Sequence, residues 1–478
     1  MAKSIATEQD VVYHENILHF PKQTMKFFII ISLLITYASA RRPNIILIYM
    51  DDMGYSDIGC FGSTKNRTPI LDRMAEEGIR FTDFYVTSGV CTPSRSSLLT
   101  GSYPRRLNMH VDQNNKWVLF PNARKGLNPD ETTIAEILKK QGYATTCIGK
   151  WHLGDQPEFL PTRHGFDSYF GIPYSNDMGR KNIPLPLLRD DQVIEAPVAQ
   201  SPVTRRYTDE AVKFIQANRA KPFFLYLPHT SVHLPLFPGE KFKGKSSNGK
   251  YGDWIEEVDA CTGIIFDTLK KENLDQDTLV IFTSDNGSNA RNGGSNAPLK
   301  GSKGSTHEGG MRVACLMRWP GKIPAKSSCS EVASTLDILP TLTALAEGKL
   351  PEKKIDGHDI SDLLFAKPNA KSPHEAFYYY HTSQLQAVRS GKWKLVLPQP
   401  QKLEGWSGKK KNSPIQLFDL SIDPAESNNL AEKNPGIVTR LIQLVKVAQE
   451  DLGDGDNKGK GQRPAGWVDQ AKPLLLQK

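Results

Sequence analysis

The amino-acid sequence predicts an α/β protein: a mainly parallel sheet flanked by helices, followed by a smaller carboxyl-terminal α+β domain with an antiparallel sheet. Three observations predict this. Short continuous apolar runs at 44–49, 222–227 and 278–282 have the unbroken hydrophobicity of strands buried on both faces. Helical patterns lie between these runs, the alternation that produces parallel crossovers. After about Leu364 the pattern changes to short strand-like segments joined by polar turns.

Taken in chain order, residues 1–40 read as an amino-terminal extension and a signal peptide. Lys26 precedes the apolar run 27–37 and then Ala38-Ser39-Ala40, the small-x-small ending of a secretory cleavage site. That run is shorter than the about 20 residues a membrane helix needs. The mature chain is therefore expected to be exported, periplasmic or secreted (lysosomal or extracellular in a eukaryote), with no integral membrane span after cleavage. Residues 41–365 read as the large α/β domain. Within it Asp130 is placed to cap a helix bearing Ile134, Ile137 and Leu138 on one face, and 251–272 reads as a second helix with Ile255, Val258 and Ile264-Ile265 spaced for a buried stripe. Residues 366–478 form the smaller domain, with strands at 375–381, 386–397 and 415–420, a helix at 436–452 and a solvated loop at 453–461.

Composition excludes several classes. A hydrophobic fraction of 38% and a mean hydropathy of −0.43 over 478 residues exclude a polytopic membrane protein, while 9% aromatic and 23% charged residues exclude wholesale disorder. The formal charge of +8 is modest for this length; it suits anionic ligands, and no nucleic-acid partner is expected. Six cysteines without a Cys-x-x-Cys pair weaken any zinc or thioredoxin-like reading.

Three motifs carry chemistry. Asp51-Asp52 directly follows the strand at 44–49, and Ser284-Asp285-Asn286-Gly287 follows the strand at 278–282. Ligands gather at the carboxyl ends of parallel strands, and carboxylates with an amide oxygen are hard donors suited to Ca²⁺ or Mg²⁺. The third motif is Cys91-Thr92-Pro93-Ser94-Arg95. Pro93 suits the first turn of a helix and places Cys91 just before its amino end, where the dipole favours developing negative charge.

Cys91-Thr92-Pro93-Ser94-Arg95 resembles the Cys-x-Pro-Ser-Arg signature of type I, formylglycine-dependent sulfatases, and the surrounding run resembles their arylsulfatase A-like members. The resemblance extends over most of 43–365. It takes in Gly149-Lys150-Trp151-His152-Leu153-Gly154, the run 171–175, His233-Leu234-Pro235, the Asp285 motif and 303–310. It implies an alkaline-phosphatase/sulfatase-like fold and hydrolysis of aryl or carbohydrate sulfate monoesters by S–O cleavage. It further implies one Ca²⁺ held by Asp51, Asp52, Asp285 and Asn286, with the Cys91 position completing the metal set, and oxidation of Cys91 to Cα-formylglycine by a maturation enzyme. Hydrated formylglycine would attack sulfur with one hydroxyl and expel sulfate by deprotonation of the other. Carried over residue by residue, Arg95 and Lys150 fix the hydrate, His152 takes its proton, Lys303 and His233 contact sulfate and its bridging oxygen, and Ser175 hydrogen-bonds to sulfate. His233 is preferred to His229 because it stands directly before Leu-Pro.

Two other readings use the same residues. A phosphoester or phosphonate-ester hydrolase shares this fold, and an unoxidised Cys91 would leave a non-catalytic Ca²⁺-dependent binder of sulfated glycans. Substrate choice is expected to lie in the loop 176–201 and the carboxyl-terminal unit; Lys241, Lys243, Lys245 and Lys409-Lys410-Lys411 read as solvated basic loops. Asn66 is the one plausible N-glycosylation site. Loss of the Cys91 thiol leaves five cysteines, an odd number, so at least one lacks an intramolecular partner. Oligomeric state has no sequence signature here.

Overall fold

In the computed structural model, which describes residues 42–398 and 414–476, the apolar run at 44–49 becomes the strand Asn44–Met50 at the middle of an 11-stranded sheet. Every residue of that strand is buried. Ile45, Leu47 and Tyr49 enter one hydrophobic cluster and Ile46, Ile48 and Met50 another, as the two-residue pleat requires of a strand covered on both faces. Each such aliphatic or aromatic side chain contributes about 1.5–3 kcal/mol by leaving water. The expected signal peptide and Lys409-Lys410-Lys411 lie outside the described residues.

From one edge the sheet runs Ser327–Cys329, Ile79–Tyr85, Arg312–Arg318, Thr278–Ser284, Asn44–Met50, Phe223–Pro228, Ala144–Ile148, Ser168–Gly171, Leu187–Arg189 and Gln192–Glu195, with Ala333–Ser334 also pairing Ile79–Tyr85. Its centre is parallel: Asn44–Met50 pairs in parallel with both Thr278–Ser284 and Phe223–Pro228, and Ala144–Ile148 pairs in parallel with Phe223–Pro228 and Ser168–Gly171. Arg312–Arg318 runs antiparallel between Thr278–Ser284 and Ile79–Tyr85. Helices Pro69–Glu76, Val203–Ala217 and Gly249–Lys271 cover one face through Leu71, Tyr207, Trp254 and Ile255. Helices Cys91–Thr100, Ile134–Lys140 and Ile338–Leu345 cover the other through Leu98, Ile137 and Leu339.

The antiparallel unit is a four-stranded sheet in the order Phe377–His381, Gln384–Ser390, Trp393–Val396, Gln416–Asp419. The helix Pro435–Asp451 buries Leu441, Val445 and Ala448, which join the same cluster as Leu98 and Leu339. No helix among the described residues is long and apolar enough to cross a membrane.

Several local expectations are corrected. The helix at 134–140 is capped by Thr133, whose hydroxyl accepts the Glu136 N–H while Glu136 accepts the Thr133 N–H, a reciprocal box that displaces Asp130. The single strand expected at 386–397 is two strands reversed through Gly391, at φ 55°. The loop 453–461 is a hairpin, Gly453–Asp454 against Asn457–Lys458, held because the buried Arg105 donates to the carbonyls of Leu452 and Asn457. Two strands, Leu187–Arg189 and Gln192–Glu195, occupy much of the expected specificity loop. Asn66 is only 6% exposed and its amide nitrogen donates to the Asp57 carbonyl, so it offers no glycosylation site in the folded chain. All six cysteines are free thiols.

Candidate active site

Parallel register delivers the first carboxylates. Met50 pairs with Ser284, so Asp51 and Asp285 leave adjacent strands at one level, and the Asp285 N–H donates to the Met50 carbonyl at 3.0 Å. On the other flank Tyr49 pairs with Pro228, which begins the segment carrying His229 and His233. The Lys150 N–H donates to the Pro228 carbonyl at 2.7 Å. Gly149 makes that approach possible: at φ 140° a Cβ there would lie 1.9 Å from the Pro228 oxygen. Cys91 is the first residue of its helix, with Val90 as the capping residue, rather than just outside it. Asp52 and His152 adopt left-handed backbone, φ 62° and 63°, at a cost of about 1–2 kcal/mol each. Both are pinned, the Asp52 N–H by Asp285 Oδ1 at 3.2 Å and the His152 N–H by the Pro173 carbonyl at 3.0 Å.

The side chains then interlock. Cys91 Sγ lies 3.5 Å from Asp51 Oδ1 and 4.0 Å from Lys303 Nζ. Lys150 Nζ donates to Asp51 Oδ2 at 2.5 Å and to Ser175 Oγ at 3.2 Å. Lys303 Nζ is 2.7 Å from Asp52, and the fully buried Arg95 makes a two-pronged contact with Asp285 Oδ2, Nε at 3.1 Å and Nη2 at 2.7 Å. Burial opposes charge on Asp51, yet Lys150, His233 and Arg95 outweigh it and hold the carboxyl far below its ordinary range. Burial likewise opposes charge on Lys303, and Asp52 outweighs it and raises the ammonium. Burial pushes the Cys91 thiol well up, so at neutral pH it is a thiol rather than a thiolate.

Of the two histidines weighed, His233 is in the site and His229 is not. His233 Nδ1 donates to the Leu234 carbonyl at 2.6 Å and lies 3.1 Å from Asn176 Oδ1, which leaves Nε2 facing Asp52 at 3.9 Å. His229 packs near Tyr207, and burial alone lowers it to about 4. His152 Nε2 donates to the Leu119 carbonyl at 2.9 Å, while its buried Nδ1 has no partner among the described residues. Burial, then Lys150, keeps that ring neutral, so Nδ1 carries a lone pair able to take a proton.

The donor set fits a hard divalent cation. Oxygens of Asp51, Asp52 and Asp285 and the Cys91 Sγ all lie within 4.8 Å of one another. Asn286 donates through Nδ2 to Asp52 Oδ1 at 2.8 Å, yet its buried Oδ1 accepts no hydrogen bond from any of the described residues. Burial and the neighbouring Asp51 raise Asp285 to about 7, a like-charge conflict that a cation relieves.

The structure thus brings together every site residue expected from the sequence: Asp51, Asp52, Cys91, Arg95, Lys150, His152, Ser175, His233, Asp285, Asn286 and Lys303. Sequence reasoning missed Asn176 and Leu119, which orient the two histidines. Leu119 acts through its backbone and has no side-chain signal. Asn176 had one, its adjacency to Ser175. His307, within the run 303–310, lies 3.3 Å from the buried Glu426.

Residues 43–349 match the family described as Sulfatase, and 372–470 match the C-terminal region of aryl-sulfatase. The chain is 38% identical to arylsulfatase A of Homo sapiens over 463 residues, covering 88% of this chain and 90% of that protein. It is 34% identical to human steryl-sulfatase, covering 86% and 88%. Among solved structures, a sulfatase from Pseudoalteromonas sp. superimposes with a TM-score of 0.78 at 26% identity, covering 89% of this chain and 94% of that one.

Proposed function

The chain belongs to the sulfatase family, and we propose that it hydrolyses sulfate monoesters by S–O cleavage through a formylglycine made from Cys91, with one Ca²⁺ held by Asp51, Asp52, Asp285 and Asn286. The observation that carries this reading is the Cys91 thiol at the start of a buried helix, 3.5 Å from Asp51 and 4.0 Å from Lys303. Ca²⁺ bound there supplies charge neutralisation at sulfate oxygens and polarisation of the S–O bond. Formylglycine, once hydrated, supplies two hydroxyls on one carbon, one for attack on sulfur and one for release of sulfate.

The chain's own residues do the rest. Lys150 and Arg95 hold the modified side chain at the strand ends, Arg95 with its guanidinium fixed between Asp285 and the Lys150 carbonyl at 3.1 Å. His152 Nδ1 takes the hydrate proton. Lys303 stays cationic and donates toward the bridging oxygen. With Nδ1 donating to Leu234, His233 offers Nε2 as an acceptor when neutral and as a donor to the leaving oxygen when protonated. Ser175, 3.2 Å from Lys150 and 3.4 Å from His233, is the neutral contact to sulfate.

The same reading includes an exported chain matured by a formylglycine-generating enzyme, and a division into a catalytic domain at 41–365 and a smaller one at 366–478. The change from the mainly parallel sheet to the antiparallel one supports that division. Peptide mass spectrometry around Cys91 tests the modification, which lowers the mass by about 18 Da where ordinary thiol oxidation adds oxygen. Turnover of 4-nitrophenyl sulfate beside 4-nitrophenyl phosphate and bis(4-nitrophenyl) phosphate tests the ester. Phosphodiester turnover without any sulfate release would sink the proposal.

A further inference from the structure

The segment expected to govern substrate choice closes on itself beside the active site. Asn176 opens it, directly after Ser175, and Gln200 stands near its end, just ahead of the helix Val203–Ala217. A reciprocal pair of hydrogen bonds joins the two residues. Asn176 Nδ2 donates to Gln200 Oε1 at 3.2 Å, and Gln200 Nε2 donates to the Asn176 carbonyl at 3.2 Å. Gln200 is in turn seated on the helix, because its carbonyl accepts the Val203 N–H at 3.0 Å. The half-buried Gln200 thus anchors the buried Asn176 from outside the reacting cluster.

This clasp decides which way the Asn176 amide faces. Besides Gln200, its Nδ2 lies 3.1 Å from the Pro235 carbonyl and 3.4 Å from the His233 carbonyl. Carbonyl oxygens only accept, so the amide nitrogen belongs on that side and Oδ1 on the other. Oδ1 meets His233 Nδ1 at 3.1 Å, and since it too only accepts, Nδ1 must carry the hydrogen. Nε2 is then the nitrogen that faces the reacting cluster, 3.9 Å from Asp52. The Leu234 carbonyl, 2.6 Å from Nδ1, asks the same of the ring, but it belongs to the next residue and moves with His233. The Ser175 hydroxyl lies 3.4 Å from both ring nitrogens and favours neither. Asn176 is therefore the contact from outside the His233 segment that fixes the ring against the site.

Resting on the sulfatase reading of Cys91, we propose that Gln200 and Asn176 are positioning residues that together hold His233 Nε2 toward the bridging oxygen of the ester, and so govern proton delivery to the departing alcohol. Both act through His233 rather than on the substrate. Without them the ring is free to turn, and a reacting group displaced by about 1 Å loses about a hundredfold in rate. That loss scales with how much the leaving oxygen needs a proton. 4-Nitrophenolate departs readily as the anion, whereas phenolate is far more basic and depends on the donor.

The test uses mature enzyme from a host that makes formylglycine, with kcat/KM measured for phenyl sulfate and for 4-nitrophenyl sulfate. Asn176→Ala is expected to lower the ratio of phenyl to 4-nitrophenyl kcat/KM about tenfold or more, and Gln200→Met about threefold or more. A general loosening of the site would lower both esters alike and leave that ratio where it was. A second comparison removes the histidine. Adding Asn176→Ala to His233→Gln is expected to leave the ratio within about twofold of His233→Gln alone, since residues acting through one group are not additive. A ratio unmoved in both single variants, or an undiminished further fall in the His233→Gln background, overturns the positioning role and leaves the sulfatase reading intact. Wild-type enzyme that releases sulfate from neither ester removes the sulfatase reading itself.

Discussion

Lys394→Met isolates what the carboxyl-terminal sheet does for the active site. The Lys394 ammonium is fully buried, 3.0 Å from Glu308 Oε1 and 2.9 Å from Glu426 Oε1, and it donates to the Thr306 carbonyl at 2.8 Å. Thr306 stands three residues after Lys303, and the Glu308 N–H donates to Glu426 Oε2 at 2.8 Å, so the loop bearing Lys303 is clamped from the second sheet. Methionine replaces the stem but strands the two carboxylates. Glu308 keeps Arg312 at 3.7 Å and the Tyr379 hydroxyl at 3.1 Å, and Glu426 keeps His307 at 3.3 Å, so neither is left wholly unpaired. Removing one partner of a buried ion pair costs about 3–5 kcal/mol, a large share of the about 5–15 kcal/mol typical of a folded domain. Urea unfolding of K394M is expected to show that loss. Its kcat/KM on 4-nitrophenyl sulfate is expected to fall about tenfold or more, because a misplacement near 1 Å at a reacting group is that expensive. K394M/E426Q neutralises one stranded carboxylate and is expected to recover at least about 1 kcal/mol. Stability within about 1 kcal/mol of wild type, together with unchanged kcat, would refute the clamp.

Three further outcomes follow from the same geometry. His164 is buried against Trp151, with burial lowering it to about 3, whereas an unfolded histidine titrates near its ordinary 6.5. Its stabilisation is thus complete above pH 6.5 and lost as pH falls toward 3, so His164→Phe should gain about 2–3 kcal/mol on wild type between pH 6.5 and 4.5 in urea titrations; parallel curves would refute this. His233→Gln is expected to lower kcat/KM on 4-nitrophenyl sulfate about a hundredfold while His229→Gln stays within about threefold, and the reverse order would reassign the site. Chelation followed by Ca²⁺ titration should raise apparent stability by about 2.7 kcal/mol at a hundredfold excess over Kd, with Asp285→Asn removing the increment; a flat melting curve in wild type counts against the metal.

What could be read from sequence was what a strand end determines locally. Asp51 and Asp285 each follow a continuous apolar run, so their placement needed only the rule that parallel strands present their carboxyl ends to ligands. Lys150 follows the strand Ala144–Ile148, whose two threonines break the apolar signal, and was reached only through the family resemblance. Thr133 was legible too, since Thr133-x-x-Glu136 before an apolar run is the capping-box pattern and Asp130, an equally good capping type three residues earlier, has no Glu or Gln at that spacing. The clamp was hidden. Glu308, Lys394 and Glu426 are spread over 118 residues of chain, and each alone reads as a solvated surface charge. The hairpin at 453–458 was hidden likewise, since its composition says loop and donors for its carbonyls come from the distant Arg105 and Tyr380.

The modest +8 of the whole chain gives no hint of how charge is arranged at the site. Three carboxylates, Asp51, Asp52 and Asp285, face three cations, Lys150, Lys303 and Arg95, each already engaged with its own carboxylate. The formal charges of that set cancel although its carboxylates crowd one another, and a sulfate entering it must compete with them for the lysines. The proposed divalent cation changes the balance. Carboxylates committed to a metal would release Lys150 and Lys303 to face the substrate, and the formal charge of the set would move from zero to plus two before a singly charged sulfate ester arrives. The metal and the lysines are therefore one device rather than two. Lys303→Met should then weaken binding of sulfate far more in Ca²⁺-loaded enzyme than in chelated enzyme. Equal losses in the two states, read from inorganic sulfate inhibition or calorimetry, would mean that the cation leaves the lysines where they are.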